Sequence, residues 1–167
     1  RLGSVAAPFK GTVALDGNLT EELLQTIATS PLFTNADLRV APASPGKAAR
    51  LLALMNHPSA TFYVNLEEAG LLCQTTFSTS DEGAAALLKR GAHRVLVTDG
   101  GSAASEGTTG NIISHTPPAV MVTRVTGAGD TFMAAHIASE AQGMDRAAAL
   151  SRAANAAATY VSGETPL

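Results

Sequence analysis

Residues 125–132 read VTGAGDTF, and the chain from there to residue 142 has the residue preferences of a helix. Two glycines this close together let the backbone approach a ligand, and the first N–H groups of a helix have no partner within it. The helix dipole adds partial positive charge at the same end. The stretch therefore predicts a helix over 127–142 whose N terminus can hold a phosphate anion.

Asp130 falls in the first turn of this predicted helix, beside any anion bound there. Its carboxylate would repel a phosphate, so its chemistry does not suit holding one. An acid in this place suits a different task, which is to orient and deprotonate a hydroxyl that attacks the phosphate.

The same helix has apolar residues at helical spacing, at Ala134, Ile137, Ala138 and Ala141. This i, i+3, i+4, i+7 pattern predicts the face that packs on the core. His136 follows Phe132 by one helical turn, which is typical of a semi-buried histidine whose ring nitrogens have partners.

Upstream of this helix, short apolar runs alternate with helical segments. The predicted strands are 12–15, 38–41, 61–64, 94–98, 111–115 and 119–123, with a polar Gly/Ser loop after 98. The predicted helices are 19–29, 44–56, 80–90 and, after the helix at 127–142, a last one over 145–161. Such alternation predicts an α/β fold with a mostly parallel sheet flanked by helices.

Composition limits the classes of protein that fit. With 167 residues, 46% hydrophobic and 15% charged, the chain has enough apolar residues for one folded core. A net charge of −3 argues against binding nucleic acid through its phosphates, and no run is long enough to span a membrane. Cys73 is the single cysteine, which fits a reducing, cytoplasmic setting. The chain opens at Arg1 rather than methionine, which we interpret as the cut end of a longer protein.

The glycine-containing segments of the chain have three other possible interpretations. A dinucleotide-binding fingerprint needs Gly or Ala where Phe132 stands, and a P-loop needs Gly-Lys-Ser/Thr where the chain has GKA at 46–48. A plain helix start capped by Thr126 stays open on the residues alone.

The stretch VTGAGDTF resembles the C-terminal signature of the ribokinase-like (PfkB) carbohydrate kinases. NLEEA at 65–69 resembles the N-x-x-E motif of that family, and RVLVT at 94–98 followed by DGG resembles its strand and nucleotide loop. Their order and spacing agree with the family, and the similarity extends from about residue 11 to 163. The resemblance implies part of a ribokinase-like three-layer sandwich and transfer of a phosphoryl group from ATP to a hydroxyl of a sugar or nucleoside.

The resemblance assigns roles by position. It implies that Gly127, Ala128 and Gly129 form the anion hole over the γ-phosphate and that Asp130 is the catalytic base. Many members have Asp where this chain has Arg124, and that Asp helps hold a monovalent cation, so the cation site is in question here. One hypothesis is that the guanidinium supplies the fixed positive charge instead.

The resemblance also implies cofactor contacts. Asn65 and Glu68 would help place Mg²⁺ through its waters, Thr98 and Gly100 would line the nucleotide loop, and Asn155 would lie near the adenine. N-x-x-E before a helix is also a capping box, and residues 18–21 and 79–82 repeat that kind of pattern.

Within the family, the chain most resembles the pseudouridine kinases, in the VTGAGD form of the signature, in DGNL at 16–19, and in PAS at 42–44 with KA at 47–48. Ala41 stands where they tend to have an Asp. The resemblance implies that residues 1–167 are the C-terminal ATP-binding portion, inactive alone, without the N-terminal substrate and lid portion through which a homodimer would form. The alternatives are another PfkB sugar kinase, or a non-catalytic nucleotide-binding module or pseudokinase segment of a fusion protein.

Overall fold

The computed structural model describes residues 3–163, which form one six-stranded sheet with helices on both faces. The strands are β1 (Thr12–Asp16), β2 (Asp37–Ala41), β3 (Ala60–Asn65), β4 (Arg94–Thr98), β5 (Ala104–Thr108) and β6 (Asn111–His115). They lie side by side in chain order, with β1 to β4 parallel and β5 and β6 antiparallel. The predicted α/β fold with a mostly parallel sheet is confirmed.

The helices divide between the two faces of the sheet. They are α1 (Glu21–Thr29), α2 (Leu66–Cys73), α3 (Ser80–Lys89), α4 (Ala128–Ala141) and α5 (Arg146–Ser162), with 3₁₀ segments at Pro31–Phe33 and Pro45–Leu54. Connections between neighbouring parallel strands are right-handed, so those that precede β4 fall on one face. The opposite face is covered by α4 and α5, which pack on β3, β5 and β6. Within residues 3–163 no helix has the length and apolar character needed to cross a membrane.

Three predicted elements differ from the structure. Residues 104–108, predicted as part of a polar loop, form β5, and residues 119–123, predicted as a strand, form an exposed loop. Residues 45–54 are a 3₁₀ segment rather than an α-helix. The strand β5 was missed because its sequence, ASEGT, is polar, although four of its five residues are buried.

The face that α4 presents to the sheet is not the predicted apolar one. Its buried residues are Phe132, Met133, His136 and Ser139. The predicted stripe is wrong in three of its four members, because Ala134, Ala138 and Ala141 are exposed and only Ile137 is half-buried. The polar side chain of His136 can face the sheet because polar and charged side chains of the strands lie against it.

The charged side chains here form a group that we call the α4 ion cluster. It consists of three guanidinium groups and three carboxylates, so its formal charges balance: Arg39, Arg94, Arg146, Asp37, Glu106 and Glu140. The cluster lies between the sheet and the α4–α5 pair. Removing Glu106, the member whose side chain is fully buried, would leave the guanidinium groups around it short of a partner, at a cost of about 3–5 kcal/mol.

Glu106 is the most deeply buried carboxylate of the cluster, with its side chain 0% exposed. Its Oε1 accepts hydrogen bonds from Nε of Arg94 at 2.8 Å and Nε of Arg146 at 3.0 Å. Burial alone would raise the pKa of Glu106, but His136, Arg94 and Arg146 together lower it to about 2. The folded protein therefore favours the charged form of this residue.

Acid is predicted to weaken the fold through Glu106. Its pKa is about 2 in the folded chain against an ordinary 4.5, so its contribution is complete above pH 4.5 and is lost as the pH falls toward 2. Between pH 5 and pH 2 this loss amounts to about 3 kcal/mol. Urea unfolding at a series of pH values should show a shallower acid dependence for Glu106→Gln than for the wild type. Equal slopes for the two proteins would contradict this assignment.

Candidate anion site at the carboxyl edge of the sheet

The direction of α4 determines which residues meet at the edge where the parallel strands end. Near its C terminus, Glu140 pairs with Arg94, the first residue of β4. One turn earlier, His136 lies 2.8 Å from the hydroxyl of Tyr63, which is opposite Leu96 farther along β4, so α4 runs antiparallel to that strand. Counting back along the helix, Asp130 lies about 15 Å from Glu140. Over β4, Thr98 lies about 13 Å from Arg94. The first turn of α4 is therefore level with the carboxyl end of β4, as the predicted site requires.

The N terminus of α4 differs from those of the other α-helices in residues 3–163. Its N-cap is Gly127, and no side chain caps it. Thr20, Asn65, Thr79 and Asp145 cap the other four with side-chain oxygens. The alternative of a helix start capped by Thr126 is wrong. The N–H of Ala128 donates to the Val125 carbonyl at 3.1 Å, whereas in the described chain the N–H groups of Gly129 and Asp130 have no such partner and are left available to a ligand.

The two glycines of this turn serve different physical needs. Gly127 has φ 91°, and a Cβ built there would lie 2.6 Å from Oη of Tyr160. At Gly129 a Cβ would have no neighbour within 4 Å, so nothing in the described fold requires glycine there. The open space above Gly129 is where a ligand can approach the backbone.

Asp130 lies in the first turn of α4, as predicted, with its side chain exposed. Among residues 3–163 its carboxylate has neither a hydrogen-bond donor nor a cation paired with it. A carboxylate in this state can accept a proton or a hydrogen bond from a substrate hydroxyl without first breaking a contact.

Asn65 and Glu68 form a complete capping box at the start of α2. The N–H of Asn65 donates to Oε2 of Glu68 at 2.8 Å, and the N–H of Glu68 donates to Oδ1 of Asn65 at 2.8 Å. Burial raises the pKa of Glu68, and the hydrogen bond from Asn65 opposes that rise. The structure therefore gives both side chains a local structural role, whether or not they also serve a metal.

Both side chains lie at the carboxyl edge of the sheet, where the predicted metal site requires them. Asn65 stands directly opposite Thr98 in the β3–β4 register, at the carboxyl edge. Their oxygens are the hard donors that Mg²⁺ accepts. No group of three or more His, Cys, Asp or Glu side chains in the described chain is placed to hold a metal. The set fits an ion that keeps most of its waters and takes phosphate oxygens, as Mg²⁺ does.

The remaining predicted residues lie at the same edge, on β4, in the loop after it and on α5. Thr98 ends β4 half-buried, and Gly100, with φ 54° and open space at its Cβ position, follows in the loop to β5. The Oδ1 of Asn155 lies 3.3 Å from Nε2 of His115, the last residue of β6. In the described chain no hydrogen bond joins Asn155 to α4 or to the capping box at Asn65.

Arg124 packs against α5. Its guanidinium carbon lies 3.9 Å from the ring centroid of Tyr160, and its Nε donates to the Tyr160 carbonyl at 2.8 Å. The hydroxyl of Tyr160 donates to the Thr126 carbonyl at 2.9 Å. Tyr160 thus supports the loop that leads into Gly127. Sequence reasoning missed it, because no motif marks that position.

A cleft of about 760 Å³ opens at the same edge, on the α2 side of the sheet. Its lining includes Glu67, Leu71, Phe77 and Asp99. Asp99 also begins the loop that contains Gly100, so the cleft adjoins the predicted nucleotide loop.

Comparison with known proteins bears on the family and the fold of the chain. The sequence profile described as pfkB family carbohydrate kinase matches residues 9–165. A carbohydrate kinase from Agrobacterium tumefaciens is 28% identical, with a TM-score of 0.72 over 92% of this chain and 48% of that one. For a ribokinase from Thermotoga maritima the identity is 20% and the TM-score 0.75, over 91% of this chain and 50% of the other. An Arabidopsis thaliana ribokinase complexed with ribose and ATP is 23% identical, with a TM-score of 0.72 over 90% and 49%.

The chain spans about half the length of the solved structures it matches. No curated protein matches it significantly by sequence. The family of the chain is therefore assigned from the sequence profile, and its fold is compared through the solved structures.

The two glycines of the α4 turn are predicted to respond differently to alanine. Gly127→Ala should destabilise the chain by about 1–2 kcal/mol, because alanine is strained at positive φ and its Cβ meets Tyr160. Gly129→Ala should keep or raise stability by up to about 1 kcal/mol, because alanine favours helix, yet weaken ATP binding. Urea unfolding and titration calorimetry measure the two effects. Unchanged ATP affinity in Gly129→Ala would contradict the anion site.

Proposed function

The chain belongs to the pfkB family of carbohydrate kinases, and on that premise we propose that it carries the phosphoryl-transfer site of an ATP-dependent kinase. The acceptor is a hydroxyl group of a sugar or a nucleoside. The single observation that carries the proposal is the uncapped N terminus of α4, with Asp130 in its first turn at the carboxyl edge.

In this proposal the first turn of α4 holds the transferred phosphoryl group. The backbone N–H groups of Gly129 and Asp130 and the positive end of the helix dipole stabilise negative charge that grows on the phosphoryl oxygens. The N–H of Ala128, which donates to the Val125 carbonyl at 3.1 Å, holds the turn in shape beside them. Because these donors are fixed in the helix, they need no reorganisation when the charge moves. Gly127 permits the turn, and Gly129 keeps its surface open.

Asp130 is the general base of the proposed reaction. It orients the attacking hydroxyl toward the phosphorus and accepts its proton as the oxygen–phosphorus bond forms. The leaving ADP takes the electron pair of the broken bond. Because Asp130 is exposed and unpaired in the described chain, an acceptor bound above the helix can reach it directly.

Mg²⁺ would supply charge neutralisation on the ATP phosphates, and Asn65 and Glu68 are the residues proposed to hold it through water. The capping box orients both side chains at the edge before any ligand binds. Thr98 and Gly100 are proposed to border the phosphates and ribose, and Asn155 to lie near the adenine. Nε2 of His115 lies 3.3 Å from Oδ1 of Asn155, within hydrogen-bond distance of that amide.

Arg124 bears on the monovalent-cation site. Its guanidinium packs on the ring of Tyr160, near the C terminus of α5, and its Nε donates to the Tyr160 carbonyl. We propose that the guanidinium of Arg124 supplies the fixed positive charge that a bound monovalent cation supplies in many relatives. The contact with Tyr160 supports this by keeping the guanidinium beside the loop to Gly127.

The finer assignments rest on the resemblance and on the length comparison. Pseudouridine or a similar nucleoside is the proposed acceptor, and the cytoplasm is the proposed location. Residues 1–167 are proposed as the C-terminal ATP-binding portion, with substrate and lid contacts supplied by a part like the half of the relatives that the chain does not match. That half would also carry a homodimer contact. The alternative of a non-catalytic nucleotide-binding module is favoured by the same half-length coverage.

Asp130→Asn separates binding from catalysis. The isosteric amide should keep ATP affinity or tighten it, because it removes a negative charge beside the phosphate. In any form of the protein that turns over, it should lower kcat by about 10²–10⁴-fold, since it cannot accept the proton. Asp145→Asn is the control, because asparagine caps α5 as well as aspartate does. Wild-type turnover in Asp130→Asn would show that the base is assigned wrongly.

The 167-residue chain alone should bind ATP weakly and phosphorylate no sugar or nucleoside. The physical reason is that the described fold leaves the α4 turn exposed, so water competes with an acceptor that nothing positions. Product formation can be followed with labelled ATP over a panel of sugars and nucleosides. Robust turnover by the chain alone would contradict its assignment as a portion of the active site.

A further inference from the structure

The buried face of α4 meets the sheet through both apolar and polar side chains. Apolar contacts from Phe132 and Met133 lie near its N terminus, but the rest of its buried face is polar. Apolar packing is non-directional, so those two contacts alone would tolerate rotation or sliding of the helix. Charge pairs and hydrogen bonds between fixed partners do not tolerate it.

Glu140, in the last turn of α4, connects the helix to two strands. Its Oε2 accepts hydrogen bonds from Nη1 of Arg39 at 2.6 Å and from Nη1 of Arg94 at 3.2 Å. Its Oε1 pairs with Nη2 of Arg94. Because Arg39 is on β2 and Arg94 is on β4, this one carboxylate fixes the helix across the width of the sheet.

Both arginines are themselves held in place. Nε of Arg39 donates to Asp37 at 2.7 Å, and Nε of Arg94 donates to Glu106 at 2.8 Å. Glu140 therefore meets cations that cannot follow it if the helix moves.

His136, one turn earlier, adds a second connection. Nη1 of Arg39 donates to the oxygen of Tyr63 at 2.9 Å, and burial raises the pKa of Tyr63 to about 12, so that hydroxyl keeps its proton. The hydroxyl can then donate to Nδ1 of His136 at 2.8 Å, which leaves the ring proton on Nε2. That nitrogen faces Oε2 of Glu106 on β5 at 3.6 Å.

We propose that Glu140 is a positioning residue for phosphoryl transfer, acting through its ion pairs with Arg39 and Arg94 to fix the height of the α4 N terminus at the carboxyl edge. This inference rests on the proposed function of that N terminus. Glu140 touches neither ATP nor the acceptor, since it lies about 15 Å along the helix from Asp130.

The geometry explains how Glu140 can affect the position of Asp130, about 15 Å away along the helix. A slide of α4 by one turn, about 5.4 Å, takes Glu140 out of reach of both arginines. The helix between Asp130 and Glu140 contains neither proline nor glycine. It therefore moves as a rigid rod and transmits a displacement from one end to the other. Smaller displacements matter as well, since about 1 Å at a reacting group changes rates by up to about 10²-fold.

Glu140→Gln in the 167-residue chain tests this inference. The amide has nearly the shape of the carboxylate but removes the charge that holds two guanidinium groups. Amide resonances of residues 127–130 are compared in the unliganded proteins by ¹H–¹⁵N NMR, and the Kd for Mg²⁺-ATP is measured below both unfolding transitions. Glu22→Gln, an exposed glutamate on α1, is the matched control. Arg39→Lys is the second variant if Glu140→Gln does not fold.

The expected result is a shift of the 127–130 resonances in Glu140→Gln and a Kd about tenfold weaker, with neither change in Glu22→Gln. A folded variant with wild-type resonances at 127–130 and wild-type affinity, whatever its Tm, would overturn the inference, because a purely structural role lowers stability without moving the site. If the wild type fails to bind ATP, the proposed function fails instead. In that case the resonance comparison by itself tests the positioning role of Glu140. A shift of the resonances of residues 127–130 supports that role, and unshifted resonances contradict it.

Discussion

Three guanidinium groups and three carboxylates lie between the sheet and the α4–α5 pair, and the place of every candidate residue on α4 depends on them. Burying charges is expensive unless each meets a partner, and here each does. The arrangement therefore stabilises one position of the helix far more than neighbouring ones. Apolar packing by Phe132 and Met133 holds α4 on the sheet, while the charges fix it along its axis.

In that position, the uncapped N terminus of α4 lies at the carboxyl edge of the sheet, where it can bind an anion. Four α-helices of the described chain satisfy an N-terminal N–H with a side-chain oxygen, and α4 begins on a glycine that has none. An open helix start is a modest loss for the fold, of about 1 kcal/mol, and a direct gain for binding an anion. Asp130 adds a carboxylate that would be unfavourable beside a bound phosphate unless a hydroxyl proton came to it.

The sequence predicts this turn well because its signal is local. Glycine spacing, the helix that follows and the order of the three motifs predicted both the family and the bounds of α4 and α5 to within a residue or two. Polar burial depends on contacts distant in sequence, and there prediction failed. The strand β5 was missed because Ser105 and Glu106 are polar, although both are completely buried. The α4 stripe was assigned to alanines for the same reason, since the partners of His136 and Glu140 lie on β2 to β5.

The central claim, that the first turn of α4 is the phosphate site, is tested most directly by NMR of the ¹⁵N-labelled chain during titration with Mg²⁺-ATP. The account predicts that the largest amide shifts fall at Gly127–Asp130, with further shifts at Thr98–Gly101 in the nucleotide loop. Shifts centred on Leu71 and Phe77 in the α2 cleft, with residues 127–130 unmoved, would contradict it.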